Sequence, residues 1–290
     1  MIFENIKMAF RSIANNKLRS FLTMLGMIIG VGSVSAVMAI GNGVKAEFAN
    51  QVDDLGTNLI QVAPGQGFTE GQADFTSALG ASTLTEKDVA TIANIEGVEA
   101  VAPTMLVSGA PSAGGKPAAG AITFATTPEY DDAIKTDLES GKFLDSTNAN
   151  EVVIGSKIAE SLFGSINVVG KQVSLRNESF TVVGVTKKPE NGGMSFGPGL
   201  DSVVYLPIDA GKRFNNGNLN INEIEVKAVS PEQVAAVKDR IKAAVKKNHG
   251  GETDFNVSDA KEQLKVFDTF FSILTSFVAA IAGISLLVGG

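Results

Sequence analysis

Catalytic chemistry needs particular side chains at particular spacings, and this chain of 290 residues holds few of them. Cysteine is absent, which removes thiolate nucleophiles, disulfides and thiolate metal sites. His249 is the only histidine. It follows Lys246 and Lys247 in the last turn of a helical pattern, the place of a surface residue that complements a helix C-terminus rather than of a base or a ligand. Without a second histidine, a zinc site would have to be nearly all carboxylate. The adjacent acids Asp53-Asp54 and Asp131-Asp132 suit helix ends and turns and make no case for a catalytic pair. No G-x-x-x-x-G-K-[ST] phosphate loop occurs, so the chain does not itself bind ATP by that route. An enzyme is disfavoured for want of parts, and neither cofactor nor metal is expected in this chain.

The elements that would position any functional group are set by an uneven charge distribution. Ser20 to Val44 is a run of 25 residues without a charge, and Thr269 to Gly290 is another of 22. A helix of either length crosses a hydrocarbon core of roughly 30 Å. Between them, Lys45 to Phe267 carries 20 of the 24 basic and 29 of the 31 acidic residues and nets −9. Such an acidic, mixed-charge middle reads as a soluble domain and argues against nucleic acid, which is bound chiefly through basic contacts to phosphate. The first 19 residues have the opposite sign: Lys7, Arg11, Lys17 and Arg19 against Glu4. The positive-inside rule places the N-terminus in the cytoplasm and the acidic domain outside. Ala36 to Ala39 imitates a signal-peptide cleavage site, but the patterned sequence before Leu18 and the length of the apolar run favour an uncleaved anchor.

Ahead of that anchor, Ile2, Phe3, Ile6, Phe10, Ile13 and Ala14 recur at helical spacing, with Glu4, Lys7 and Arg11 on the other side. This is a basic amphipathic helix for the cytoplasmic membrane surface, which either positions the chain or touches a partner. Gly26 and Gly30 stand four apart inside the first apolar run and offer a face for close helix packing.

The middle domain opens and closes on the same pattern. "NLIQVAP" (Asn58–Pro64) is a strand; Thr85 caps a helix with Val89, Ile92 and Ala93 on its apolar stripe, Gly97 stops it, and Val98 to Val107 is a second strand. Near the end, Ile221 to Val229 alternates as a strand. Ser230, Pro231 and Gln233 then open a helix as a capping box, with Val234, Val237, Ile241 and Val245 on its buried face, and Asp254 to Asp259 is a short strand. Between these two β-α-β units the chain is mostly strand: Gly120–Thr127, Asn150–Ser156, Lys171–Lys188 with a hairpin turn at Arg176–Ser179, and Ser202–Ile208, interrupted by one short helix, Ser156 to Phe163. The expected fold class is therefore α+β: a bilobed extracytoplasmic domain, with two β-α-β halves forming one lobe and an inserted β-rich second lobe, between two transmembrane helices. Gly-rich loops at 65–82 and 191–201 are either mobile surface or contacts for a partner. After the last strand, Leu264, Phe267 and Phe271 keep helical spacing without a breaker, so the second spanning helix begins outside the membrane as a stalk.

The stretch "NIKMAFRSIANNKLRSFLTMLGMIIGVGSVSAVMAIGNG" (Asn5–Gly43) closely resembles the N-terminus of MacB-type, FtsX-like ABC transporter permeases. "NEVVIGSKIAESLFG", "VVGKQVSLRNESFTVVGV", "VVYLPIDAGKRF" and "AGISLLVGG" resemble the same family in the same order. The resemblance implies a cytoplasmic helix over 1–17, a first transmembrane helix over 18–44, and a periplasmic core domain over 45–258. Within that domain, 45–110 plus 220–258 would form the α/β lobe and 111–219 the β-rich lobe, followed by a stalk and truncated second transmembrane helix over 259–290.

It further implies a non-catalytic permease subunit in the bacterial inner membrane. ATP would be hydrolysed by a separate ATPase subunit, and the motion passed through stalk helices to drive export or other extracytoplasmic work on drugs, peptides or lipoproteins. Implied partners are that ATPase, a second copy or a paired permease, a membrane-fusion adaptor, and lipid. Two other functions keep the same order of parts: a bitopic sensor, or a non-transporting regulator of cell-wall hydrolases.

Overall fold

The computed structural model describes Glu4 and residues 17–55, 58–65, 68–69, 72–73, 82–147, 150–188 and 200–289. In chain order the elements are α1 (Lys17–Leu55), β1 (Leu59–Pro64), β2 (Phe68–Thr69), β3 (Gln72–Ala73), α2 (Glu86–Ala93), β4 (Val98–Val107), β5 (Ser112–Ala113), β6 (Lys116–Pro117), β7 (Ile122–Thr126) and α3 (Glu129–Ile134). They continue with β8 (Leu138–Gly141), β9 (Glu151–Gly155), α4 (Ser156–Phe163), β10 (Gln172–Leu175), β11 (Glu178–Thr186), β12 (Val203–Pro207), α5 (Ile208–Phe214), β13 (Glu223–Ala228), α6 (Val234–Asn248), β14 (Phe255–Asp259) and α7 (Ala260–Gly289). The chain divides into two units, one of residues 1–50 with 264–290, the other of 51–263.

Most described residues of the first unit lie in two helical segments. Met24–Ala46 in α1 and Ala260–Ile284 in α7 are each long and apolar enough to cross a membrane. Phe21, Ile28, Ile29 and Val31 on α1, and Phe270, Ile273, Phe277 and Ile284 on α7, leave their side chains exposed. In water such a surface would be costly; in hydrocarbon it is the favourable one.

In the second unit, β14, β1, β13 and β4 lie side by side, each antiparallel to its neighbour. The two β-α-β units therefore interleave: β13 from the second lies between β1 and β4 of the first, and β1 lies between β13 and β14. This is the split β-α-β arrangement. The alternation that marks these strands puts Ile60, Val62, Ile224, Val226, Phe255 and Val257 on one face, where Ile92 of α2 and Val237, Ile241 and Val245 of α6 cover them. Each such side chain contributes about 1.5–3 kcal/mol on burial.

The inserted half grows from the same strand. β4 pairs with β13 up to Thr104, and its last residues, Met105 to Val107, pair with β7. From there the sheet runs β7, β12, β9, β11, β10, β5, β6, with β8 also on β11. Asn222 secures the crossing point: its side-chain Oδ1 accepts from Leu106 N–H at 2.7 Å, and its backbone N–H donates to the Thr104 carbonyl at 2.9 Å. The core of this half is aliphatic and aromatic, built around Val152, Ile154, Phe180, Val182, Val204 and Leu206, with Ile158 and Leu162 of α4. Arg176 and Asn177, both at positive φ, make the tight turn between β10 and β11 that the strand twist favours.

Three expectations are corrected. The inserted half contains two more short helices, α3 and α5, and Ile208 starts α5 instead of ending a strand. The β10–β11 turn is confined to Arg176 and Asn177, with Ser179 already in β11. The Ser230 capping box does not form: Pro231–Gln233 is a turn of 3₁₀ helix without a side-chain cap, and the α-helix begins at Val234.

Candidate functional site

Two sets of contacts within the helical unit tie its segments together. Gly30 is buried, and a Cβ placed on it would lie 3.3 Å from the Ala282 Cβ. Gly41, three turns on, is buried as well; a Cβ there would come 2.9 Å from the Phe271 ring, closer than real Cβ atoms approach. The helices meet through glycine because a larger residue would have to displace one of them. Lys45 Nζ reaches Asp268 Oδ1 at 2.9 Å, with both side chains about half exposed. Gly26 has nothing within 4 Å of a notional Cβ. Phe271 is the residue that fills the Gly41 notch and Leu264 is half-buried, whereas the Phe267 side chain lies outside the described residues. So do Phe3, Ile6, Phe10 and Arg11. Gly41, Ala282 and the Lys45–Asp268 pair went unnoticed in the sequence. The signal for them was a repeat of small residues that continues past Gly30 to Gly41.

At the C-terminal end of the domain, β14 runs into α7 through a reciprocal cap. Glu262 N–H donates to Asp259 Oδ1 at 2.9 Å, and Asp259 N–H donates to Glu262 Oε2 at 3.3 Å. Lys238 of α6 joins both acids, 2.8 Å from Asp259 Oδ2 and 2.7 Å from Glu262 Oε1, with only 10% of its side chain exposed. Burial disfavours the Lys238 ammonium, but hydrogen bonds to Asp259 and Glu262 outweigh it and raise its pKa. Asp259 is held below the ordinary carboxylate range because the Lys238 and backbone bonds overcome its own burial. Gln263, in the next position, donates to Gln61 Oε1 of β1 at 2.7 Å.

The far end of α6 overturns the surface reading of His249. The side chain is 8% exposed and bridges Asp88 Oδ2 at 3.0 Å and Asp254 Oδ1 at 2.5 Å. Both ring nitrogens face carboxylate oxygen, so both donate only when the ring is charged. Burial opposes that charge, yet the two aspartates more than compensate and raise the His249 pKa. Asp88 is fully buried in the first turn of α2 and accepts from Thr85 N–H, Thr85 Oγ1 and Asn248 Nδ2 as well. Those bonds carry it below the usual carboxylate range in spite of desolvation. The cluster fastens the start of α2 to the end of α6. It was not legible because Asp88 and His249 are 161 residues apart.

Gly193 to Gly197 spells G-x-S-x-G in the Gly-rich loop, outside the described residues, but the histidine such a serine would use is locked between two aspartates. Among the described residues no group of three or more histidine and acidic side chains is placed to hold a metal ion.

The described contacts are thus notched helices in one unit and a charged, hydrogen-bonded start to α7 in the other. The sequence profile described as MacB-like periplasmic core domain matches residues 20–244, from inside α1 to within α6. The chain belongs to the MacB-like periplasmic core domain family. A protein named macrolide export ATP-binding/permease protein MacB, from Rhodospirillum rubrum, is 31% identical over 99% of this chain and 44% of its own length. One of the same name from Agrobacterium fabrum is 33% identical over the same shares. The chain thus spans less than half the length of these curated relatives.

The crystal structure of the periplasmic region of MacB from Actinobacillus actinomycetemcomitans matches with a TM-score of 0.62 at 20% identity, covering 77% of this chain and 98% of that one. The extracellular domain of the noncanonic ABC-type transporter YknZ from Gram-positive bacteria matches at 0.55 and 21% identity, over 70% of this chain and 100% of that one. At these identities the likeness is one of fold. The mixed α/β fold is that of MacB periplasmic regions, and in this chain candidate spanning helices lie before and after it in sequence.

Proposed function

We propose that this MacB-like chain is part of an ABC transporter permease of the mechanotransmission kind, in which the spanning helices carry motion between a cytoplasmic ATPase and the extracytoplasmic domain. The observation that carries the reading is the order of parts. In this chain an apolar helix and a second apolar helix lie before and after the domain, and relatives about 30% identical across the whole chain are named ATP-binding/permease proteins.

In this reading the chain contributes no catalytic residue and no cofactor of its own; ATP is bound and hydrolysed in a partner subunit. The basic N-terminal segment, with Phe3, Ile6, Phe10 and Arg11, lies on the cytoplasmic surface near that ATPase, and the domain lies outside the inner membrane. Gly30 and Gly41 hold the helix pair close, and Leu264, Phe267 and Phe271 belong to the stalk that moves the domain. A second permease copy or a paired permease completes the spanning unit, a membrane-fusion adaptor is a further partner, and lipid surrounds both helices. The cargo class is drugs, peptides or lipoproteins.

The test is to co-express the permease with a phosphate-loop ATPase subunit from the same genome and reconstitute both in liposomes. Co-purification is expected, with ATP turnover that falls when Gly41→Leu wedges the helix pair. An ATPase that neither binds the permease nor changes rate with it sinks the reading.

A further inference from the structure

Strand alternation on β13 does more than build the helix-covered core. Ile224, Val226 and Ala228 face α2 and α6, so Glu223, Glu225 and Lys227 face the opposite side of the four-stranded sheet. On that side Glu225 lies opposite Gln61 of β1 and Ala102 of β4. The inserted half covers this surface. Helix α3 packs on β4 and β13, with Ala133, Ile134 and Tyr130 against Ala100 and Leu59. Tyr130 lies tilted against Tyr205 of β12 at 5.3 Å between ring centroids and stacks with Phe143 at 5.9 Å. Glu225 of one half is thus buried beneath the other, with the half-buried Glu223 two residues before it on the same face of the strand.

Glu225 is 6% exposed. Its Oε1 receives one long hydrogen bond, from Gln61 Nε2 at 3.4 Å, and its Oε2 has no partner among the described residues. An ionised carboxylate in such a place lacks the two or three donors that would offset its desolvation; a neutral acid avoids that cost. The neighbouring cation does not supply the deficit. Lys227 gives its ammonium to Glu99 Oε1 of β4 at 2.9 Å and to the Asp132 carbonyl of α3 at 2.9 Å. The other ionisable groups turned toward the pair are the two phenols, Tyr130 from α3 and Tyr205 from β12. From β1 and α7 come only the amides of Gln61 and Gln263, hydrogen-bonded to each other.

We propose that Glu223 and Glu225 form a proton-binding latch between the two halves of the domain. With the proton bound, the polar face of the four-stranded sheet is neutral and the roof of α3, Tyr130 and Tyr205 closes on it. When the proton leaves, charge appears under that roof without donors to receive it, and the halves loosen. Burial pushes Glu223 up to about 7, and burial together with the Glu223 charge raises Glu225 well above the carboxylate range. The latch therefore works around neutral pH, closed on the acid side. Gln61 and Gln263 continue the hydrogen bonds from Glu225 to the first turn of α7, so the latch adjoins the start of that helix. The inference stands on the domain alone and does not require the permease reading.

The chain provides its own probe. Tyr130 and Tyr205 are its only tyrosines and tryptophan is absent, so the intrinsic emission of the full chain in detergent comes from the roof of the latch alone. Titrated from about pH 5 to 9, wild type is expected to show one transition in tyrosine emission near neutrality. In the Glu223→Gln, Glu225→Gln double variant that transition is expected to vanish, with far-UV circular dichroism unchanged. A flat wild-type profile, or a transition that persists at the same midpoint in the folded double variant, overturns the proposal. If the double variant does not fold, infrared spectroscopy of wild type decides. The carbonyl band of protonated carboxyls must be present at about pH 6 and lost by about pH 8.5; its absence on the acid side overturns the latch.

Discussion

The two halves of the domain hold together in different ways. The inserted half is centred on Val152, Ile154, Phe180, Val182, Val204 and Leu206, and its ion pairs, Lys142 with Asp145 and Arg213 with Glu178, lie at the exposed surface. The α/β half has an equally apolar layer under α2 and α6, but it places ionic groups around it: Asp88 with His249 at one end of α6, Lys238 with Asp259 and Glu262 beside α7, and Glu223 with Glu225 beneath the inserted half. Apolar packing is indifferent to pH, whereas paired and buried ionisable groups tie stability to proton binding. The difference assigns the two halves separate duties: one keeps its shape, and the other is adjustable at the points where it meets other elements.

The most disruptive way to probe this contrast is a cavity in each half. Phe180→Ala removes a ring that is 1% exposed and packs edge-on against Phe214 at 6.2 Å, and it should cost about 3–5 kcal/mol. Ile241→Ala, fully buried on α6, should cost about 2–5 kcal/mol. Urea unfolding of the full chain in detergent measures both, and the contrast requires each loss to be the same at pH 6 and pH 8. A cavity cost that changed with pH by more than about 1 kcal/mol would show that the apolar layers and the ionic groups are not separable.

Next in size is His249→Asn, which removes two charge-assisted hydrogen bonds and should cost about 2–3 kcal/mol in mildly acidic buffer. The sign follows from the direction of the shift. His249 has a raised folded pKa, so its contribution is complete below the unfolded value of about 6.5 and disappears as pH rises through the folded value. Thermal unfolding should therefore separate wild type from variant at pH 6 and bring them together in alkaline buffer. Parallel curves at all pH values would mean that the ring acts by packing against Phe255 rather than by charge. Lys238→Met is expected to cost about 1–3 kcal/mol, because it leaves Asp259 and Glu262 without their shared cation at the start of α7. Asp259 is depressed, so that loss should persist at neutral pH and fade as pH falls through its folded pKa. If Lys238→Met is as stable as wild type across that range, the C-terminal end of the domain is held by the Asp259–Glu262 cap alone.

How much of this was readable beforehand follows the range of the interactions. The helix Ser156–Phe163 lies where its sequence pattern put it, and β1, β4 and β14 lie within a residue or so of their expected bounds, because alternation, caps and stop glycines are local signals. Helix α3 was missed: at six residues it is too short for periodicity, and what stabilises it is the sheet face beneath Ala133 and Ile134. The charge clusters were illegible for a related reason. His249 looked like a surface residue because its near neighbours are lysines, while the aspartate that buries it comes from 161 residues away. Glu223 and Glu225 read correctly as alternate positions of a strand. Which side of that strand would be covered depended on an insertion that folds back between β4 and β13. Family resemblance was legible over the whole chain, since it rests on ordered short motifs and needs no account of pairing.

The helix pair offers the smallest energetic effect and the most direct structural readout. Lys45 and Asp268 are each about half exposed, so in water their pairing is worth only about 0.2–1 kcal/mol, and Lys45→Ala should leave urea unfolding of the domain unchanged. Their proximity can still be captured, because the chain has no native cysteine to compete. Lys45→Cys with Asp268→Cys should form an intrachain disulfide under mild oxidation, seen as a shift in non-reducing electrophoresis that a reductant reverses. Lys45→Cys with Thr269→Cys, one residue around the helix, should cross-link far less. Gly41→Leu should suppress the first cross-link as well, since its side chain needs the space that Phe271 occupies. If the disulfide forms equally well in the Gly41→Leu background, the close approach of these two helices does not depend on glycine, and the notches at Gly30 and Gly41 serve some contact other than this one.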